Sequence, residues 1–176
     1  MTKFDDIFEI AADNFGLITS AQAKEAGITN NELVQYAVRG KLERVGQGVY
    51  RLTQRVPEAN DAYALAVALA GSDAFLYGES VIALLDLAPT NPSTLYIATP
   101  KRVRRTLPPE LKIVKVPGST KVAYYDGIPS QTVYEAIRLC DSMMPERLLD
   151  AAKKAQSEGY ITQIEYHLLE KDLKSR

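Results

Sequence analysis

Cysteine and histidine are nearly absent from this chain of 176 residues, which carries one of each. The single cysteine, Cys140, excludes an internal disulfide and fits a reducing cytoplasm. Protein zinc sites need several Cys, His or carboxylate ligands close together, and the sequence places no such cluster near Cys140 or His167. We therefore expect no bound metal and no cofactor.

Long apolar runs are also missing. The longest stretch, residues 62–70, is too short to span a bilayer. Asp5 and Asp6 stand near the start, where a secretory signal would have cations followed by an apolar run, so no signal is expected. With 46% hydrophobic and 24% charged residues, the composition is that of a soluble globular protein. We expect a cytoplasmic protein with one large domain or two small ones.

The net charge of −1 hides an uneven distribution. Residues 1–55 contain seven acids and seven cations, and residues 56–94 contain five acids and no Lys or Arg. Residues 95–125 contain seven cations against one acid, a local balance of +6. Because nucleic-acid affinity depends on local cationic clusters, the small net charge does not exclude DNA binding.

Residues 18–52 carry the most informative pattern in the sequence. Thr19 and Thr29 are good helix N-caps, and Gly27 and Gly40 are good C-terminal stops, so two short helices follow one another across a tight turn. The next residues alternate apolar and polar around Gly46-Gln47-Gly48, which predicts a β-hairpin. Helix, turn, helix and hairpin, in that order, predict a winged helix-turn-helix in residues 1–55.

A mixed α+β domain is predicted for residues 56–176, with its boundary near Pro57. Its small sheet would contain strands at 74–77, 95–99, 111–116 and 122–125. Helices are expected at 60–70 and 79–87 before and within the sheet, and at 131–140, 145–158 and 162–173 toward the C-terminus. The predicted fold class is thus α+β, a winged module followed by a domain with a small sheet and C-terminal helices.

The second helix of a winged module lies in the DNA major groove. Leu33 and Tyr36 are expected to face the module's core, and the outer positions carry side chains suited to base edges. Asn and Gln bond bidentately to adenine and Arg to guanine, while Val contacts a thymine methyl group. The candidate readers are Thr29, Asn30, Asn31, Val34, Gln35 and Arg39. The alternative is that they form only a solvated helix face.

Cations on the hairpin suit contacts to phosphates or to the minor groove, which position a protein without reading sequence. The candidates are Lys41, Arg44, Gln47 and Arg51, whereas Tyr50 is expected to pack in the core. A second basic patch comprises Lys101, Arg102, Arg104 and Arg105, extended by Lys112 and Lys115. This patch fits DNA phosphates, an acidic protein partner or a solubilising loop.

Patterns for catalysis are weak. Glu110-Leu111-Lys112 matches the acid-x-Lys element of restriction-type nucleases, but no Pro-Asp pair precedes it and Glu110 follows two prolines. Gly78-Glu79-Ser80 lacks the paired carboxylates of a nucleotidyltransferase. We therefore expect no enzyme, and no catalytic or metal-binding residues.

Three stretches in the same order resemble the AbiEi antitoxin family of type IV toxin–antitoxin systems. They are the winged module with its segment from Arg39 to Leu52, the helix near residues 75–88, and Gly127-Ile128-Pro129-Ser130 followed by a helix. Family members often begin that last helix with Pro-Glu-Arg-Thr, where this chain has residues 131–135 without an arginine. A role that rests on that arginine does not transfer.

The resemblance implies a cytoplasmic antitoxin and transcriptional autorepressor. It would bind an inverted repeat in promoter DNA through the winged domain and counter a nucleotidyltransferase-like toxin. In that family the second domain carries the antitoxin activity and helps in DNA binding. One alternative is a winged-helix regulator whose α+β domain senses a small ligand, without a toxin partner; another is a nuclease using Glu110 and Lys112.

Overall fold

The computed structural model describes residues 2–91 and 93–176, which form two compact units, Met1–Gly71 and Ser72–Arg176. Both units mix helices with a small sheet, so the predicted α+β class is confirmed. None of the helices in the described residues is long and apolar enough to cross a membrane.

The first unit is a winged helix-turn-helix with one helix added at its end. Its three-stranded antiparallel sheet has the strand order β1-β3-β2. The elements are α1 (Lys3–Ala12), β1 (Leu17–Thr19), α2 (Ser20–Glu25), α3 (Asn30–Val38), β2 (Leu42–Gly46), β3 (Val49–Leu52) and α4 (Asp61–Ala70).

Local sequence explains the short helices of this unit. Thr19 and Thr29 each accept a hydrogen bond from the backbone N–H three residues on, as predicted. The side chain of that third residue, Gln22 or Glu32, in turn accepts a hydrogen bond from the backbone N–H of the threonine, which completes a capping box. Gly27 has φ +78°, a left-handed conformation that favours glycine and turns the chain sharply between α2 and α3.

One apolar core holds the winged module together. Ile7 of α1, Ile18 of β1 and Leu33 of α3 have no exposed surface. Leu42 and Tyr50 add the inner face of the hairpin, and Tyr50 is buried as predicted. Because α3 is anchored through Leu33, its opposite side faces outward.

The first unit extends past the boundary predicted at residue 55. Arg55 donates two hydrogen bonds to the Asp61 carboxylate, which joins the end of the wing to the start of α4. Near the other end of α4, Leu69 lies directly against Gly46 of β2. These contacts include α4 in the winged unit. Asn60 occupies its N-cap position, as predicted, but its side chain makes no capping hydrogen bond.

The second unit contains a five-stranded mixed sheet with the strand order β6-β5-β4-β8-β7. The C-terminal helices α6, α7 and α8 pack against one another, and α5 packs against β5. The elements are β4 (Phe75–Leu76), α5 (Glu79–Leu84), β5 (Leu95–Thr99), β6 (Leu111–Lys115), β7 (Val122–Tyr125), β8 (Ile128–Gln131), α6 (Val133–Arg138), α7 (Pro145–Ser157) and α8 (Gln163–Lys174).

The strand β8 was not predicted, and it lies inside the sheet between β4 and β7. Proline lacks the N–H that an interior strand normally donates, so Pro129 argues against a strand at this position. The structure accommodates it because β4 is very short and pairs with β8 only at Leu76 and Ser130. The helix predicted from residue 131 therefore begins later, at Val133.

Candidate nucleic-acid interface

The helix α3 presents the side chains predicted to read DNA. Asn31, Val34 and Gln35 are exposed, as are Asn30 at its first position and Arg39 at its C-cap. Val34 has 44% of its surface exposed, a large fraction for an apolar side chain on a helix that is anchored to a core.

Two features of this surface were not predicted. Val38 is 79% exposed and lies one helical turn beyond Val34, so the outer surface of α3 carries two apolar side chains. The second feature is a hydrogen bond of 3.1 Å from the Ser20 hydroxyl to the side-chain oxygen of Asn30. This bond ties the first residue of α2 to the first residue of α3 and orients the Asn30 amide.

A depression of about 540 Å³ lies at the junction of the two helices. Its lining joins the start of α2, the turn and the start of α3, namely Ser20, Lys24, Gly27, Ile28, Thr29 and Asn30. Thr29 is exposed, but its hydroxyl accepts from the Glu32 backbone N–H and donates to the Glu32 carboxylate at 3.1 Å. Because these two hydrogen bonds occupy the Thr29 hydroxyl, it has little hydrogen-bonding capacity left for a ligand.

Glu32 is the one acid among the residues of α3. Lys3 of α1 donates a 2.8 Å hydrogen bond to its carboxylate. That hydrogen bond is the main reason why the pKa of Glu32 lies below its ordinary value. The ion pair offsets a negative charge that would otherwise repel a phosphate backbone.

The structure does not bring the predicted wing residues onto one face. Arg44 and Arg51 occupy successive rows of the hairpin, and because side chains alternate along a strand they project to opposite sides. Arg51 also lies 3.7 Å from the Glu43 carboxylate. Lys41 places its ammonium 4.7 Å from the centre of the Phe4 ring, a cation–π contact. Gln47 is exposed at the hairpin turn.

The basic residues of the second unit likewise divide into separate groups. Lys101 forms a 2.6 Å ion pair with Asp73, whereas Arg102 and Arg104 are exposed and Arg105 is half-buried. The remaining two predicted cations, Lys112 and Lys115, are both exposed on β6. Because they are three residues apart on one strand, their side chains project from opposite faces of the sheet. These six cations therefore do not form one continuous patch.

Buried polar groups in the second unit link its segments to one another. The Glu79 carboxylate accepts hydrogen bonds from the Asn91 backbone N–H at 2.7 Å and from the Ser142 hydroxyl at 2.8 Å. The Gln131 side chain accepts from the Gly78 N–H at 2.8 Å. These bonds hold loops against the sheet.

The residues considered for catalysis are not part of these hydrogen-bonded groups. Glu110 is exposed in the turn before β6, and Lys112 is exposed on that edge strand. Cys140 is buried and His167 is exposed. In residues 2–91 and 93–176, no group of three His, Cys, Asp or Glu is placed to hold a metal ion.

One comparison with known proteins, that with family models, agrees with the winged module. The sequence model of a family described as "Transcriptional regulator, AbiEi antitoxin" matches residues 5–53. No match to the chain was found among curated proteins. Among solved structures, the crystal structure of the RV2827C protein from Mycobacterium tuberculosis is similar, with a TM-score of 0.45 and 14% identity over 93% of this chain and 78% of that one. The resemblance inferred from sequence is confirmed over this segment: residues 5–53 match the model of the AbiEi antitoxin family of transcriptional regulators.

Proposed function

We propose that this chain is an antitoxin and transcriptional autorepressor that binds its own promoter DNA through α3. The observation that carries the proposal is the outer surface of α3, where Asn31, Gln35 and Arg39 are exposed while Leu33 anchors the helix from behind. A rigid helix with amide and guanidinium groups on one exposed side has the chemistry of major-groove readout.

The exposed side of this helix carries two kinds of side chain, polar and apolar. Gln35 and Asn31 would bond base edges, with adenine as the preferred partner, and Arg39 would bond guanine. Val34 and Val38 are exposed apolar groups that suit the methyl groups of thymine. Each good bidentate base contact is worth about 1–3 kcal/mol of discrimination.

The wing would add contacts that position the module without reading sequence. Arg44 and Lys41 are exposed, whereas Arg51 must leave Glu43 before it can reach a phosphate. We therefore assign the larger share of wing binding to Arg44 and Lys41. An inverted repeat as the operator would place two copies of the chain on one DNA site, since operator symmetry mirrors protein symmetry.

The second unit would counter a nucleotidyltransferase-like toxin, and the support for this partner is the match of the N-terminal residues 5–53 to the model of an antitoxin family. The rival is a winged regulator whose second unit senses a small ligand. A nucleotidyltransferase gene next to the gene for this chain supports the antitoxin, and its absence favours the rival.

Two assays on the full chain test the proposal. Binding to the native promoter should exceed binding to scrambled DNA of equal length, and co-expression with the neighbouring toxin should restore growth. Truncation to residues 1–71 should retain some promoter binding and lose the growth rescue. Equal binding to both DNAs would contradict the regulator, and rescue by residues 1–71 alone would contradict the role of the second unit.

A further inference from the structure

The strand β7 is an edge of the five-stranded sheet that carries exposed apolar side chains. It is the last strand of the sheet and pairs only with β8 among the described residues. Val122 has 42% of its surface exposed and Tyr124 has 71%. An edge strand presents a row of backbone N–H and C=O groups that can pair with another chain, and an apolar edge favours such pairing.

The register of β7 with β8 determines which backbone groups face this edge. A two-residue turn joins the two strands, so Tyr125, the residue before the turn, exchanges its backbone hydrogen bonds with β8. Hydrogen-bonded and non-hydrogen-bonded pairs alternate along an antiparallel ladder. The N–H and C=O groups of Ala123 therefore also point toward β8, whereas those of Val122 and Tyr124 point outward. The two residues with exposed apolar side chains thus also offer their backbone groups at the edge.

This arrangement makes β7 complementary to a second copy of itself. Around a two-fold axis perpendicular to the sheet, two β7 strands lie antiparallel and residues directly opposite each other share one face. A register with Val122 opposite the partner's Tyr124 meets this condition and joins the outward-facing backbone groups in hydrogen-bonded pairs on both sides of the axis. Each pair sets a β-branched side chain against an aromatic one, a combination that stabilises neighbouring strands.

The charges beside β7 are compatible with this register. The side chain of Lys121 alternates to the face of the sheet opposite Val122, and in this register it lies across from the partner's Tyr125. Like charges are therefore not directly opposed, an arrangement that would destabilise paired strands. A register with Tyr124 opposite the partner's Tyr124 would instead set Val122 against Asp126 and lose the two apolar pairs.

A depression on the same face of the sheet offers room for the aromatic side chain. Its volume is about 410 Å³, and Val122 belongs to its lining. The lining mixes apolar groups with polar ones, the latter from Ser72, Asp73 and Thr120. A tyrosine side chain joins an apolar ring to a hydroxyl that donates and accepts hydrogen bonds, which suits a mixed lining. The partner's Tyr124, which stands beside Val122 in this register, has the chemistry to occupy it.

We propose that two copies of the chain pair through their β7 strands, with Val122 of each copy opposite Tyr124 of the other, and so form one continuous sheet. The contact is small, because β7 has four residues and a standard interface buries roughly 800 Å² on each partner. The pairing is therefore weak in solution and strengthens when one DNA site holds both copies. The inference rests on the proposed function only in this last respect, that an inverted repeat brings two copies together.

Analytical ultracentrifugation of the full chain without DNA tests the pairing. The parent should be monomeric near 1 µM and form an increasing fraction of dimer as its concentration rises toward about 1 mM. Tyr124→Ala should raise the dissociation constant roughly tenfold or more, because aromatic anchors carry much of the binding energy. Ile164→Ala, which removes a side chain 74% exposed on α8, is the matched control and should leave the dissociation constant unchanged. A parent that stays monomeric throughout would overturn the proposal, as would equal effects of the two variants.

Charged substitutions test the register itself. Val122→Lys and Tyr124→Glu should each abolish self-association, because each sets a charge opposite an apolar side chain. A mixture of the two variants should form a mixed dimer, because the introduced lysine then faces the introduced glutamate while Tyr124 of one chain still faces Val122 of the other. Recovery in the mixture also shows that neither variant has lost its fold. A mixture that stays monomeric, although circular dichroism shows both variants folded, would contradict the proposed pairing.

Promoter binding separates this inference from the proposed function. The parent should bind an inverted repeat with positive cooperativity, and Tyr124→Ala should bind each half-site as the parent does but without cooperativity. If the parent prefers the promoter and both proteins bind it with equal cooperativity, the inference fails and the proposed function stands. If the parent shows no preference for the promoter, the proposed function fails, whereas a dimer measured without DNA still supports the pairing of β7.

Discussion

The Ser20 hydroxyl donates a hydrogen bond of 3.1 Å to the side-chain oxygen of Asn30. This contact joins the two helices of the winged module at the residues where each begins. It occupies the acceptor of the Asn30 amide and directs its NH₂ donors away from Ser20. Asn30 is thereby oriented to donate to acceptors on DNA, such as phosphate oxygens or the N7 atoms of purines.

Substitutions at Asn30 and Ser20 should therefore separate two effects, the hydrogen bonds that the Asn30 amide donates to DNA and the orientation of that amide by Ser20. Asn30→Asp replaces the NH₂ donors with a charged oxygen, and we expect it to weaken promoter binding by more than tenfold through repulsion from DNA. Ser20→Ala removes only the orienting bond and should weaken binding by a few-fold. Fluorescence anisotropy at fixed salt measures both. Equal effects of the two changes would show that orientation, and not donation, is what Asn30 needs.

The basic segment of the second unit should contribute to DNA affinity through phosphates. Residues 1–55 carry no net charge, so additional cations are needed for tight binding. Removal of one cation that neutralises a phosphate reduces the slope of log affinity against log salt by roughly 0.9. Combined alanine substitution of Lys101, Arg102, Arg104 and Arg105 should lower affinity and the slope while it preserves the order of preference among operators.

Single substitutions within this segment should be unequal. Lys101 is held by Asp73, whereas Arg102 is exposed, so Arg102→Ala should change the slope more than Lys101→Ala does. If the fourfold variant binds DNA like the parent but fails to neutralise the toxin, the segment serves the protein partner. If neither property changes, these cations only keep the domain soluble.

The Arg55–Asp61 pair should make the free energy of unfolding of the first unit depend on pH in the acidic range. The side-chain hydrogen bonds from Arg55 are the main reason why the pKa of Asp61 lies below its ordinary value of 3.8. A carboxyl group with a lowered folded-state pKa contributes its full stabilisation above the unfolded-state pKa and loses it as pH falls through the folded-state value. The stabilisation is thus complete at neutral pH and declines as the pH drops below about 4.

Asp61→Asn removes this dependence and should cost about 1–2 kcal/mol of unfolding free energy at pH 7, because both side chains are mostly buried and doubly hydrogen-bonded. Thermal unfolding of the parent and the variant at pH 7 and near pH 3 measures the difference. The gap should be large at pH 7 and smaller near pH 3. Asp172→Asn, at a more exposed ion pair with Arg176, is the control and should cost less.

Sequence reasoning predicted the winged module well because its determinants are local. Thr19 and Thr29 form capping boxes with residues three positions away, and Gly27 supplies the left-handed turn, so short segments specify this geometry. The strand β1, at Leu17–Thr19, was missed because three residues carry no measurable alternation. Its pairing with β3 is decided by tertiary packing.

The second unit shows where local patterns mislead. Pro129 argues against an interior strand, yet Asp126 and Gly127 both have positive φ and form the two-residue turn that joins β7 to β8. An Asp-Gly pair between apolar residues is a strong hairpin pattern and was available in the sequence. The rows of side chains across the five-stranded sheet were not available, because they depend on register between strands distant in the chain. The same holds for the opposite orientations of Arg44 and Arg51, which follow from the register of β2 with β3.

The contact between Gly46 and Leu69 predicts that α4 belongs to the folding unit of the winged module. A Cβ atom at residue 46 would collide with the Leu69 side chain, so Gly46→Ala should destabilise the first unit by about 1–3 kcal/mol. The fragment of residues 1–71 should unfold at a higher temperature than the fragment of residues 1–55, which lacks Leu69 and Asp61. Gly118→Ala is the control, because a Cβ atom there would make only an ordinary contact in the second unit, and it should have little effect on stability. Gly40→Ala is unsuitable as a control, because Gly40 has φ +77°, a conformation that alanine rarely adopts. Equal melting of the two fragments would show that α4 is independent of the wing.

The affinity and sequence preference of the Gln35→Ala and Arg39→Ala variants test most directly whether α3 reads DNA. Both side chains are exposed, so neither change should disturb the fold. Each variant should lose about 1–3 kcal/mol of binding to the native promoter, relax its preference at one base position and bind scrambled DNA nearly as the parent does. Lys171→Ala, which removes an exposed cation on α8 of the second unit, is the control. If both variants keep the parent's affinity and preference for the native promoter over scrambled DNA, α3 does not read the operator.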